Sequence, residues 1–218
     1  MTELRISEGD VAALPVLPLW IGGHAYLSVC QQYGILLRAQ SGVPVRRFPV
    51  CGEAEVARAC ESARGALVAG AGGAASTEDC WCGWAGLVER YHGHLTGLLQ
   101  EESGWAERAA ADEVSAAAAC LRDTGRSGQC CLAAIGPSPA APISGLLRVA
   151  VPILRSGGAV IAVSSPNAPS VLVALAELSA RAGLRPGAFS LLHGDTATWA
   201  TLGAQSDVTV FAGAPAPV

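Results

Sequence analysis

Residues Ala133–Asp195 read AAIGPSPAAPISGLLRVAVPILRSGGAVIAVSSPNAPSVLVALAELSARAGLRPGAFSLLHGD, and the fold is decided there. An apolar strand, a helix, a second apolar strand, a second helix and a third apolar strand follow one another. The strand candidates Cys130–Ile135, Ala159–Val163 and Ala188–Leu192 are apolar at consecutive positions, so both of their faces are covered. Helices are predicted between them, from about Pro142 to Arg155 and from Ser170 to Ala182, the second ended by Gly183. Thr196–Leu202 reads as a short helix capped by Asp195 and ended by Gly203, and Val208–Phe211 as a last strand. Strands of this kind alternating with helices make a parallel sheet covered by helices.

Upstream the pattern changes. Residues 1–50 carry short strand candidates at Leu17–Ile21, Ala25–Cys30, Leu36–Arg38 and Val43–Val50, with turns at Gly22-Gly23, Gly34 and Ser41-Gly42. Residues 51–124 are helical. Glu53–Val68 places Val56, Ala59, Cys60, Ala63 and Leu67 on one face, and the Gly-rich break Gly70–Ala75 stops it. Ser76 can cap a second helix that runs to about Glu102, with Asp79 in its first turn. Gly104 then separates it from a third, Trp105–Arg122, and so short a break implies an antiparallel helical pair. The reading is α/β: a Rossmann-like parallel sheet with flanking helices in residues 125–218, preceded by an N-terminal β-hairpin region and a helical pair, all in one continuous structural domain.

Composition narrows the function. The 218 residues include no lysine, so all 14 basic residues are arginine, and Asn167 is the single asparagine. Charged residues are 15% of the chain, against about 25% in ordinary soluble domains, which implies that part of the surface packs against another subunit. A net charge of −4 leaves no footprint for nucleic acid. No apolar run reaches the roughly 18–20 residues that span a bilayer. Glu3, Arg5, Glu8 and Asp10 do not suit a secretory signal, and the expectation is a cytoplasmic protein. The eight cysteines are scattered, as expected of reduced thiols acting as small hydrophobes. Cys80 and Cys82 are too close for a zinc knuckle, and His92 and His94 point to different faces of a helix, so no metal site is expected.

From about Leu19 to its end the chain resembles the aldehyde dehydrogenase superfamily. Trp20-Ile21-Gly22-Gly23 is similar to the family's opening strand, and Gly52–Ala66 to its first helix. Leu95–Gly104 is similar to the helix that ends in a Glu-x-Gly signature. Gly136-Pro137, Val151-Pro152, Ser164-Ser165, Gly183-Leu184-Arg185-Pro186-Gly187, Gly194 and Phe211-Ala212-Gly213 follow in family order. The resemblance implies a coenzyme-binding half whose cofactor, if any, is NAD(P).

The chemistry of such an enzyme needs a cysteine thiolate, an oxyanion donor, a glutamate to activate water and a nicotinamide. Against that pattern the chain is depleted. The family's Gly-Pro-Trp-Asn-Phe-Pro appears as Gly136-Pro137-Ser138-Pro139-Ala140-Ala141-Pro142, without the Asn. The cofactor-ribose Lys falls on Val163 and the Glu on Pro166. Past Gly213, where the resemblance implies the pyrophosphate-binding helix, stand Ala214-Pro215-Ala216-Pro217-Val218, and the catalytic Cys and Glu are expected to be missing. No catalytic residue is therefore assigned, and the coenzyme positions are vestigial: Ile135, Gly136, Val163, Ser165, Gly194, Phe211 and Gly213. The pattern is similar to the inactive C-terminal domain of family-16 aldehyde dehydrogenases. It implies a non-catalytic protein that forms homo-oligomers or a complex with an active aldehyde dehydrogenase. The alternatives are an oxidoreductase component whose site another chain completes, and a truncated product without function.

Three further features are read as structural. Cys130-Cys131 suits a buried strand start better than a redox pair. His193-Gly194-Asp195 reads as a polar loop whose Asp195 caps the next helix, and Ser164-Ser165 lack an orienting histidine identifiable from sequence. Trp81, Trp84 and Trp105 read as core or interface.

Overall fold

The computed structural model describes residues 12–30, 32–71, 77–125, 128–136, 138 and 140–211. Eight strands and seven helices are named here in chain order. The strands are β1 Leu19–Ile21, β2 His24–Tyr26, β3 Tyr33–Leu37, β4 Pro44–Pro49, β5 Leu132–Ile135, β6 Ala159–Ser164, β7 Phe189–His193 and β8 Val208–Phe211. The helices are α1 Glu53–Ala71, α2 Glu78–Arg90, α3 His92–Ser103, α4 Glu107–Arg122, α5 Ser144–Arg155, α6 Pro169–Arg181 and α7 Thr196–Gly203.

One sheet of six strands has the order β2-β1-β7-β6-β5-β8. β5 to β8 pair in parallel, and every residue of β5, β6 and β7 is buried, as their unbroken apolar runs require. The order reverses at β5: the chain steps out through β6 to β7, then returns to place β8 on the other side. The two successive crossovers put α5 and α6 on one face, with α2, α3 and α4 packed outside them, and the reversal leaves α7 with α1 on the other. One connected set of buried apolar side chains takes members from β1, all seven helices and β5–β7. Trp81 and Trp84 stack within it at 6.1 Å, and Trp84 meets the edge of Phe189 at 6.0 Å.

The N-terminal strands depart from the expected separate hairpin region. β1 joins the main sheet, antiparallel to β7 through Trp20 and Leu191, and β2 extends it by one short strand; only β3 and β4 form a sheet of their own. The strand expected over Ala25–Cys30 ends at Tyr26. The expected long helix to Glu102 is two helices, broken at Tyr91, whose ψ of 16° leaves the helical range. Ser76 lies outside the described residues. Thr77 stands at the N-cap of α2 without a side-chain capping bond. α3 ends on Gly104, whose φ of +69° is the left-handed conformation that glycine adopts without strain. α4 then runs back along both helices: His92 Nε2 lies 3.1 Å from Ala111 O, and Arg122 pairs with Glu89.

Candidate functional site

In a doubly wound sheet ligands bind outside the carboxyl ends of the strands, where the order reverses. Here that edge is formed by the ends of β8, β5, β6 and β7. The register sets Phe211 beside Ile135, Ile135 beside Ala162 and Val163 beside Leu192. Ile135, Gly136, Val163, Ser165, Gly194 and Phe211 are thus brought to one edge; Gly213 lies outside the described residues. Ile135 and Val163 are buried, and Ser165 Oγ already accepts the N–H of Asn167 at 3.2 Å.

The helices that leave this edge decide what it can hold. A helix N-terminus presents unpaired N–H groups and a partial positive charge, and so attracts anions. All three helices that follow a described parallel strand already begin on a carboxylate of the protein. At α5, Glu113 Oε1 accepts the N–H groups of Ile143 and Ser144 at 2.8 and 2.7 Å, and its Oε2 accepts the Ser144 hydroxyl at 2.7 Å. At α6, Glu102 Oε2 accepts the Ser170 N–H at 3.1 Å. At α7, Asp195 accepts the N–H groups of Ala197 and Thr198 in a capping box, as expected for that residue. Glu102 and Glu113 both sit in the core. Burial pushes the Glu102 carboxyl up to about 7. It is 3.5 Å from the Arg46 guanidinium, but Arg46 is held closer to Glu101, at 3.0 Å.

A cleft of about 540 Å³ opens at the ends of β5 and β6, between the β3–β4 hairpin and the loop after β6. Leu36, Arg38, Glu102, Trp105, Ser165 and Asn167 are among its lining residues. Its polar groups are largely engaged with one another. Ser103 donates to Asn167 O at 2.8 Å, and Arg38 pairs with Glu101 at 2.9 Å. Trp105 is half-buried on the cleft wall, whereas Trp81 and Trp84 are core.

Ser164 does have a histidine. The parallel register pairs it with His193, and Ser164 Oγ lies 2.7 Å from His193 Nδ1. His193 is not in a polar loop but ends β7, fully buried, with Nε2 3.0 Å from Pro18 O. The neutral ring with its proton on Nε2 satisfies both contacts, donating to Pro18 O and accepting from Ser164. Burial holds its pKa at about 4. Among the described residues no carboxylate orients the ring, and Ser164 is only 2% exposed, so the pair clamps β1, β7 and β6 together and offers no nucleophile to a substrate.

No family model matches the sequence, and no curated protein is significantly similar to it. Solved structures are similar in shape. An NAD-dependent aldehyde dehydrogenase from Sinorhizobium meliloti superposes with a TM-score of 0.78 at 18% identity, over 94% of this chain and 46% of that one. An NADP-dependent glyceraldehyde-3-phosphate dehydrogenase from Bacillus halodurans, complexed with NADP, gives 0.79 at 18% over 89% and 47%. Lactaldehyde dehydrogenase from Escherichia coli gives 0.77 at 17% over 90% and 47%. The fold is that of the aldehyde dehydrogenases. The chain spans less than half the length of these structures, so the likeness covers one part of an aldehyde dehydrogenase fold.

The Glu102 and Glu113 caps and the Ser164–His193 pair were missed in the sequence, whereas the Asp195 cap was read there. Glu113 left a signal, because it interrupts the apolar stripe Ala110, Val114, Ala117, Ala118 and Leu121 on one face of α4. Glu102 stands in the Glu-x-Gly signature. His193, 29 residues from Ser164, is paired with it only by strand register.

Proposed function

We propose that this chain is a degenerate member of the aldehyde dehydrogenase superfamily, similar to the inactive domain of the family-16 enzymes. In this reading it is a non-catalytic protein that acts by associating with itself or with an active aldehyde dehydrogenase. The observation that carries the reading is the carboxylate at the N-terminus of α5, α6 and α7. A phosphate arriving at α5 or α7 meets a carboxylate already using the donors it needs, and at α6 the Ser170 N–H is already taken by Glu102. Val163 and Pro166 add apolar side chains where the resemblance implies a Lys and a Glu for the ribose. The test is thermal unfolding with millimolar NAD+ or NADP+. No change of midpoint is expected. A ligand at 100 times its Kd adds about 2.7 kcal/mol, or roughly 5–10 °C for a domain of this size, and a rise of that order overturns the reading.

A second reading makes the chain an NAD(P)-dependent aldehyde oxidoreductase component whose site another chain completes. It is favoured by the outer edge of β8, which pairs with no strand among the described residues. It predicts a midpoint rise with NAD+ only when the completing chain is present.

A further inference from the structure

The chain has three tyrosines, and a guanidinium lies over the ring of each. Arg58 stands 4.8 Å from the Tyr26 ring, Arg47 4.8 Å from Tyr33, and Arg181 5.0 Å from Tyr91. A cation on a ring face anchors the side chain. What differs is the phenol oxygen. The Tyr33 hydroxyl donates to Ser28 O at 3.4 Å, a bond that only the protonated phenol makes. Tyr91 Oη instead accepts an N–H from Arg181 Nη2 at 3.1 Å. Among the described residues it is the one phenol oxygen that receives a cationic donor, and the Arg90 guanidinium lies 5.9 Å from the same ring.

The fold holds this pair in place from both sides. Tyr91 stands at the break between α2 and α3; its N–H donates to Leu87 O at 2.9 Å, and its carbonyl accepts the Leu95 N–H at 3.0 Å. Its ring is half-buried against the core, while the hydroxyl meets Arg181 at the surface. Arg181 is the last residue of α6, so the pair lies at the opposite end of that helix from the strand-end edge. A cationic donor stabilises a phenolate more than a phenol. The Arg181 N–H therefore holds Tyr91 below the ordinary tyrosine value, and Arg90 acts in the same direction. Glu177, 3.8 Å from Arg181 Nη1, opposes them weakly. Burial and the Cys30 thiol push Tyr33 the other way.

We propose that Tyr91 is a modification site for phosphorus(V) electrophiles that carry an anionic leaving group, organophosphorus fluorides being the simplest. The Tyr91 phenol loses its proton to solvent, and the phenolate oxygen attacks phosphorus. The Oη–P bond forms as the P–F bond breaks, and fluoride leaves with the electron pair. The product is an aryl phosphate ester, and nothing is oxidised or reduced. Arg181 contributes twice. It holds the attacking oxygen in its anionic form, and its further N–H groups are free to receive the phosphoryl oxygen as charge develops there. Ser164, the hydroxyl with a histidine beside it, is buried and does not compete.

The test is a time course of the folded protein with diisopropyl fluorophosphate, read by peptide mapping at several pH values. Near neutral pH, Tyr91 is expected to be labelled about tenfold faster than Tyr26 or Tyr33, the factor for one unit of phenol acidity. Arg181→Gln keeps an amide donor but removes the charge. It should slow Tyr91 to the rate of Tyr26 and move the midpoint of the Tyr91 rate–pH profile upward. Tyr91→Phe should abolish the fast adduct. Equal labelling of the three tyrosines overturns the proposal, as does an adduct confined to serine. So does an Arg181→Gln protein that keeps the wild-type rate and midpoint at Tyr91. Should either variant fail to fold by circular dichroism, the comparison of the three tyrosines in the wild type decides.

Discussion

At the scale of single residues, the buried titratable groups govern how stability follows pH, and two of them pull in opposite directions. His193 is neutral in the fold and held at about 4, below its ordinary 6.5. Between those values the unfolded chain takes up a proton that the folded chain refuses, so stability is lost as pH falls below 6.5, by roughly 3 kcal/mol at pH 4. Glu102 is raised to about 7 from 4.5, so the folded state keeps its proton longer, and this contribution is lost as pH rises from 4.5 to 7. The two slopes largely cancel from 4.5 to 6.5. A His193→Gln variant separates them, because an amide can accept from Ser164 and donate to Pro18 O without titrating. In urea unfolding the difference between wild type and His193→Gln should change by about 2–3 kcal/mol from pH 6.5 to pH 4.5, the variant gaining on acidification. Parallel stability curves across that range would mean that His193 is not held neutral by the fold.

At the scale of elements, close approach outweighs propensity where helix α1 crosses the turn between α5 and β6. Gly70 lies in the last turn of α1, and a Cβ there would stand 2.1 Å from Gly157 O and 2.9 Å from an Arg185 guanidinium nitrogen. That guanidinium donates to Gly157 O and Gly158 O at 3.0 Å each, so the turn is pinned and has little room to yield. Helix propensity alone favours Gly70→Ala by about 1 kcal/mol. The backbone clash reverses the sign, and a loss of about 2 kcal/mol or more is expected. Gly65, on the same helix with open space around it, is the control: Gly65→Ala should be neutral or gain up to about 1 kcal/mol. Chemical denaturation of both variants checks the pair, and a stabilising Gly70→Ala removes the argument. None of this crossing was visible in the sequence, although α1 itself was. What was legible were elements with a long, one-signed pattern: β5 to β7 and the helices between them, whose apolar runs and Gly stops report burial directly. What was not legible depended on partners. The three-residue β1 carries no mark of joining β7, and the apolar period from Leu87 to Leu95 runs through the break at Tyr91 as though the helix were continuous. The candidate edge was half legible: the residues at the strand ends could be read, but not the carboxylates that reach it from α3 and α4.

For the whole molecule, the question is which surface would carry the proposed association. The six-stranded sheet ends on one side at β2, three residues long, and on the other at β8, which among the described residues pairs with β5 alone. The outer strand reads Val208-Thr209-Val210-Phe211, with no charge and no proline, and Val210 is 44% exposed. Natural edge strands are usually guarded by lysine, proline or a bulge against pairing with another chain. Among the described residues this one has no such guard, and a second strand added there would continue the sheet in backbone hydrogen bonds already aligned. If the proposed association uses this edge, Val210→Lys should weaken it while leaving the fold intact, since a half-exposed surface position costs within about 0.5 kcal/mol. Sedimentation velocity over a concentration series checks this, for the chain alone and mixed with an active aldehyde dehydrogenase. The wild type should sediment faster as concentration rises or as dehydrogenase is added, and Val210→Lys should stay at the monomer value with an unchanged melting temperature. Equal association by the two proteins would move the interface off β8 and onto another exposed apolar set, such as the Tyr33, Ile35 and Leu37 side chains of β3.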